Sequence, residues 1–263
     1  MRCSFFSLAS IALIAPSAWA DLAPKTKAAF DRYIATVEPE LDQRASASGP
    51  FLWLDQKPKL RAAAAAGEVV VERVPAPGVP SGLIQHWRGG VFMPGIKLER
   101  LLETDQDYNR HKILYRPEVI DSRLINRQGD RFHIFLRLYK KKVLTVVLDT
   151  EHDVEYRTLS PQRAYSRSIS RSVREVKNAG EPGEQVLPAG VGTGFLWAMN
   201  SYWRLEERDG GVWAECDAIT LARDIPLGLG AVLKPMIDGL AHEAVVKTLE
   251  AKRRSVVSAP VGR

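Results

Sequence analysis

Apolar residues recur along this chain at two different spacings, and the change from one to the other divides it into elements. Between 25 and 44 they fall at Ala29, Tyr33, Val37 and Leu41, the one-sided spacing of an amphipathic helix interrupted by Pro39. Residues 49–58 punctuate, 60–66 is helix-prone, and 69–74 is rich in β-branched side chains. Pro75, Pro77, Gly78, Pro80 and Gly82 then crowd together as turn chemistry and mark a domain boundary. Beyond it, 83–92 reads as a strand ended by Met93-Pro94-Gly95. A short helical pattern runs through Leu98, Leu101 and Leu102, and another helical turn fits 108–112.

Extended runs follow at 119–126, 131–139, 143–149, 164–176, 195–207 and 212–222, six consecutive strands that predict an antiparallel meander. Lys140-Lys141-Lys142 and Asp209-Gly210-Gly211 suit tight hairpins, the Asp-Gly pair because it tolerates positive φ. The longest loop is expected over 178–194, with the glycine-rich Gly190-Val191-Gly192-Thr193-Gly194 as a flexible part of it at the mouth of any cavity. After Pro226-Leu227-Gly228-Leu229-Gly230, the stretch 235–254 puts Ile237, Leu240, Ala241, Ala244, Val245, Thr248 and Leu249 on one helical face. One sheet must cover its apolar face, and this helix is the only long element left to do it. A sheet curled around a single helix leaves space between them, the usual place for an apolar ligand.

That order resembles the helix-grip fold of the START and Bet v 1 superfamily, and three stretches of sequence carry the resemblance. They are Gln85-His86-Trp87-Arg88-Gly89-Gly90-Val91-Phe92, Asn200-Ser201-Tyr202-Trp203-Arg204-Leu205-Glu206-Glu207, and Ala222-Arg223-Asp224-Ile225-Pro226 leading into the final helix. The chain is similar to exported bacterial START-like proteins over roughly 82–254. The resemblance implies an α+β fold, a curved antiparallel sheet wrapped around a long C-terminal helix, and a cavity for a lipid, sterol-like or aromatic molecule. Residues 21–81 would form an N-terminal helical extension and linker, and 255–263 a flexible tail. It does not imply catalysis, because fold and function separate in such superfamilies.

Candidate ligand-binding residues follow from strand alternation. Met199, Trp203 and Trp197 lie in an apolar stripe with Phe195, Ser201 and Leu205. Ile237 and Leu240 come from the inner face of the last helix. Along 131–139, Phe132, Ile134, Leu136 and Leu138 share one side and His133, Phe135 and Arg137 the other, so His133 and Arg137 are either solvated or orienting groups in the cavity. From 164 on, Tyr165, Arg167, Ile169 and Arg171 oppose a row of serines. Arg167 is either a solubilising surface residue or a cavity arginine meeting a ligand head group or a carboxylate such as Glu215 or Asp217. If the protein is instead an enzyme of the cyclase or aromatase type, which the resemblance also admits, His133, Tyr165, Arg167 and Glu215 are the first suspects. Cys216, between Ala214 and Ala218, reads as a small buried residue. His152-Asp153-Val154-Glu155 reads as a solvated turn. No metal-ligand spacing, phosphate loop or nucleophile elbow is present in the sequence, so neither a metal nor a cofactor is expected.

The ends and the charge narrow the setting. Arg2, the apolar stretch 5–15 and Ala18-Trp19-Ala20 have the form of a cleaved secretory signal peptide, which places the mature chain in the periplasm or outside the cell. Cleavage removes Cys3 and leaves Cys216 alone, so no internal disulfide is available and stability must come from a core. The net charge of +6 is spread over scattered basic residues, which disfavours nucleic acid and allows peripheral contact with an anionic membrane surface. A monomer that holds a hydrophobic small molecule is the expectation.

Overall fold

In the computed structural model, residues 21–46, 49–141, 145–224 and 230–258 are described. The expected signal peptide, Lys142 of the expected first hairpin with residues 143–144, residues 225–229 of the expected turn before the last helix, and residues 259–263 lie outside them. The elements are α1 (Pro24–Ser46), a 3-10 turn (Trp53–Gln56), α2 (Pro58–Ala65), β1 (Val70–Val74), β2 (Gly82–Pro94) and α3 (Leu98–Gln106). A second 3-10 turn (Tyr108–Arg110) leads into α4 (His111–Leu114), β3 (Val119–Gln128), β4 (Arg131–Lys141), β5 (Thr145–Ser160) and β6 (Arg163–Lys177). The chain closes with β7 (Gln185–Val186), β8 (Ala198–Arg208), β9 (Gly211–Arg223) and α5 (Gly230–Ser258).

The strands form one antiparallel sheet in the order β1-β2-β9-β8-β6-β5-β4-β3, with β7 paired to the end of β6. The six-strand meander is therefore β3 to β6 followed by β8 and β9, and β2 pairs along β9 from Gly82 opposite Arg223 to Pro94 opposite Gly211. Asp209 and Gly210 take φ of 56° and 76°, the left-handed geometry expected of that hairpin. On the edge strand β3 the register shifts at Ile120 and Ile125, and such irregularities discourage further strand pairing.

The C-terminal helix packs on one face of this curved sheet. Gln85 Nε2 donates to Asp238 at 2.8 Å, and the rings of Trp87 and His242 meet edge-on at 5.4 Å. Gly89 fixes how closely the helix approaches, because a Cβ there would stand 2.7 Å from Leu249 Cδ1 and 3.1 Å from Val245 Cγ1. Its neighbour Gly90 faces the other way, where a Cβ would stand 2.8 Å from Leu54 Cδ1. The pair lets the chain pack tightly against β2 from both sides. Val91, Met93, Leu98, Leu101, Leu205, Val212 and Ala214 close the core between α3, α5 and the sheet.

The outer face is covered by the N-terminal segment. Phe30, Val37 and Leu41 of α1 bury against Ile84, Tyr165, Tyr202, Ile219 and Leu221. Full burial of such a side chain contributes about 2 kcal/mol. The helix continues through Pro39 rather than breaking there. β1 lies inside the stretch expected as an extension, yet it pairs with β2 from Val70 opposite Gly90 to Val74 opposite His86. The proline-rich cluster is thus a connection between two strands of one sheet. Residues 152–155, expected as a turn, lie inside β5, which runs on to Ser160. The glycine-rich loop is held in place by Glu175, whose carboxylate accepts from Thr193 N at 2.8 Å, Thr193 Oγ1 at 2.8 Å and Gly194 N at 3.0 Å. Among the described residues no helix is long and apolar enough to cross a membrane.

Candidate ligand-binding cavity

The register of the ladders defines rows of side chains across the inner face. One row runs Trp87, Ala218, Ser201 and Ser168 across β2, β9, β8 and β6, and all four are half-buried although they lie in the middle of the sheet, on the face that carries α5. On β8 and β9, Met199 and Thr220 of the adjoining row, and Trp203 on the other side, are half-buried as well. A helix seated directly on these strands would remove them from solvent, as it does Val91 and Leu205 a few positions away. The half-exposure marks a space left uncovered beside α5, at whose edge Trp87, Ala218 and Trp203 pack against the core that holds Val245 and Leu249. Its wall combines large apolar groups with small residues that leave volume. A cleft of about 160 Å³ opens where α5 meets β4, lined by Pro117, Tyr139, Leu240 and Ala244 with Lys140 and Glu243 at its rim.

Several polar groups on this face are hydrogen-bonded to one another. At the closed end, Lys252 Nζ of α5 donates to Asp105 Oδ2 at 2.5 Å and stands 4.1 Å from the centre of the Trp203 ring. His111 Nε2 donates to the Asp105 carbonyl at 3.0 Å, and the hydroxyls of Tyr108 and Tyr156 are 2.9 Å apart. Burial raises the pKa of Tyr108, Tyr115 and Tyr156, so all three stay neutral. His152 is buried on the inner face of β5, where desolvation lowers its pKa to about 4, partly offset by Asp153. Burial pushes the Cys216 thiol well up, which leaves it unreactive. Among the described residues no group of three His, Cys, Asp or Glu side chains is placed to hold a metal ion.

The sequence candidates separate onto the two faces. Met199 and Trp203 line the inner wall, Leu240 lines the cleft, and Ile237 is a half-buried residue of α5. Trp197 precedes β8 and packs in the cluster beneath α1 instead. His133, Arg137 and Arg167 lie on the outer face, where cross-strand acids neutralise them. His133 Nε2 is 3.1 Å from Glu151 and Arg167 Nε 3.1 Å from Glu155, while Arg137 Nε is 2.6 Å from Asp149. Tyr165 and Glu215 are on that face too, buried under the N-terminal segment. None of these five reaches the inner space, because all occupy strand positions of the opposite parity.

A group of residues that sequence reasoning did not assemble fills the outer face. Asp217, fully buried, accepts from Arg88 Nε at 2.6 Å, His86 Nε2 at 3.0 Å and Arg204 NH1 at 3.1 Å. Burial opposes its ionisation, but the His86 hydrogen bond and the two guanidinium charges outweigh this and hold it well below the usual carboxylate range. Tyr33 of α1 meets His86 Nδ1 at 2.8 Å, and Arg204 also donates to the Leu41 carbonyl at 3.2 Å. Beside them Glu215 accepts the backbone N–H groups of Trp53 and Leu54, both at 2.7 Å, with Arg44 at 3.4 Å. Here burial prevails and raises the Glu215 pKa. The cluster ties α1 and the 3-10 turn to the back of the sheet. Phe51-Leu52-Trp53-Leu54, four apolar residues within a punctuating stretch, were the visible sign of that buried turn.

A curved antiparallel sheet packed against a long C-terminal helix is the helix-grip arrangement that the sequence leads one to expect. Neither a protein-family profile nor a curated protein sequence matches the chain. Solved structures with a similar course of chain include a protein from Thermus thermophilus, at TM-score 0.48 and 16% identity over 66% of this chain and 98% of that one. Human STARD10 is similar at TM-score 0.48 and 11% identity, over 77% of this chain and 80% of that one. A STAR-related lipid transfer protein from Xanthomonas axonopodis is similar at 0.46 and 16%, over 71% and 99%.

Proposed function

We propose that this protein binds a hydrophobic small molecule in the space between the inner face of the sheet and α5. The observation that carries the reading is the row of half-buried side chains, Trp87, Ala218, Ser201 and Ser168, at the centre of the sheet face on which α5 packs. Trp203 and Met199 supply apolar surface on the inner face. The residues a cyclase reading would use are neutralised or buried on the other face, so binding rather than catalysis fits the arrangement of side chains. Residues 1–20 support export of the mature chain, which would then meet its ligand outside the cytoplasmic membrane.

The test is displacement of a neutral fluorescent probe, N-phenylnaphthylamine, from the purified mature protein. Saturable binding that weakens on Ala218→Leu or Ser201→Leu, substitutions that fill the space, is expected. A protein that takes up no apolar probe, or whose uptake is indifferent to filling the inner wall, refutes the reading. Sequencing of the secreted chain, expected to begin at Asp21, tests export separately.

A further inference from the structure

The inner wall carries a chain of hydrogen bonds whose direction is fixed at one end by a group that can only accept. Thr150 Oγ1 lies 3.0 Å from the carbonyl oxygen of Leu136, so the threonine proton points to that carbonyl. Thr150 Oγ1 also lies 3.0 Å from His152 Nε2, and with its own proton committed it can only accept there. Nε2 therefore carries the imidazole proton, and in the neutral ring Nδ1 is left with a bare lone pair. The Ser168 hydroxyl faces Nδ1, with Oγ at 3.4 Å. Ser168 donates to Nδ1 and keeps only acceptor capacity, and it stands in the half-buried row directly opposite Ser201.

We infer that this wall recognises an apolar ligand by a hydrogen-bond donor on it, so that the ligand class is a hydrophobic molecule bearing a hydroxyl or a comparable N–H. At Ser168 Oγ or His152 Nδ1 the ligand must be the donor, because the chain from Leu136 onward supplies no proton there, whereas the Ser201 hydroxyl opposite can donate or accept and imposes no preference. The burial that keeps His152 neutral maintains this polarity, since a protonated ring would reverse it. His152 acts as a positioning residue that sets which way Ser168 points. The inference rests on the apolar-ligand reading above and specifies the polar end of that ligand.

The experiment compares dodecanol with methyl dodecyl ether as competitors of N-phenylnaphthylamine. The two share an apolar chain and an acceptor oxygen and differ in the donor. The native protein should prefer the alcohol by about tenfold, the worth of one hydrogen bond in an enclosed site. His152→Leu frees the Ser168 proton, so the preference should fall to about twofold or less while binding of the chain persists. Should that variant fail to fold, the imidazole nitrogen chemical shifts of the native protein report the tautomer directly, with the proton expected on Nε2. Equal competition by alcohol and ether, or a proton on Nδ1, overturns the inference alone. A protein that binds neither competitor nor probe overturns the apolar-ligand reading and this inference with it.

Discussion

Replacing Asp217 by asparagine keeps the shape of the side chain and removes its charge at the centre of the outer-face cluster. Asp217 and Arg204 are both 0% exposed, and Arg204 Nε already lacks a partner. In the variant the amide oxygen can still accept from Arg88 or His86, but the amide nitrogen would point its protons at the Arg204 guanidinium. Two arginines would then share a buried site with no carboxylate at position 217 to balance them, and Glu215 beside them is itself disfavoured as an anion by burial. Breaking a buried pair by removing one partner costs about 3–5 kcal/mol. In a chain of this size that lowers the midpoint of thermal unfolding by roughly 6–20 °C. Chemical denaturation of both proteins at neutral pH measures the difference. The double variant Arg204→Met with Asp217→Leu, which deletes both charges, should lose less than Asp217→Asn alone. Because the folded pKa of Asp217 is depressed, its contribution is fully present above the unfolded carboxyl value and is lost only as pH falls through the lower folded value. A loss below about 1 kcal/mol for Asp217→Asn would refute the claim that this cluster holds α1 to the sheet.

Two further outcomes follow from the inner face. Gly89→Ala places a methyl 2.7 Å from Leu249 and 3.1 Å from the Val70 carbonyl, and should destabilise by about 1–3 kcal/mol in urea denaturation, whereas Gly78→Ala, with no atom within 4 Å, should be neutral. His152 is buried neutral with its pKa lowered from 6.5 to about 4, so folding stability should fall as pH drops through that window and level off below it. The share due to His152 is roughly 3 kcal/mol, and it is read as the part of the pH dependence missing in His152→Leu, since His111 shifts in the same direction.

The alternation along 131–139 correctly grouped Phe132, Ile134, Leu136 and Leu138, which share the inner face, and it separated His133 and Arg137 from them. What it did not contain was the identity of the concave side. Cross-strand acids such as Glu151 and Asp149 make the outer positions look equally purposeful, and nothing local distinguishes a neutralised outer arginine from one aimed at a ligand. The serine row of β6 was visible, but its meaning depended on Ser201 and Ala218 arriving opposite it from strands more than thirty residues away. The grouping of Arg204, Asp217, Arg88 and His86 was missed for the same reason, Asp217 having been considered only as a partner for Arg167. Each is an ordinary charged residue in its own strand, and only the pairing of β2, β9 and β8 brings them within hydrogen-bond distance. His152 was misread because Asp153 and Glu155 give β5 a polar outer side that resembles a turn, whereas the inner side continues through Val154 and Tyr156.

The two faces of the sheet make opposite demands, and the N-terminal segment is what allows both to be met. A face with open space contributes less packing than a filled one, so the sheet must be held in shape by something other than α5. The outer face supplies this through Phe30, Val37 and Leu41, through Leu52 and Leu54, and through a charge cluster that spans α1, β2, β8 and β9. Strand parity keeps the two systems apart: Asp217 and Arg204 point outward from positions flanked by inward Cys216, Ala218, Trp203 and Leu205. On the proposed function, a ligand that enters or leaves the inner space meets a wall whose curvature is set from behind. Filling that space with a larger side chain should alter binding with little effect on how α1 is attached, and loosening α1 should reduce stability without changing which groups the ligand touches.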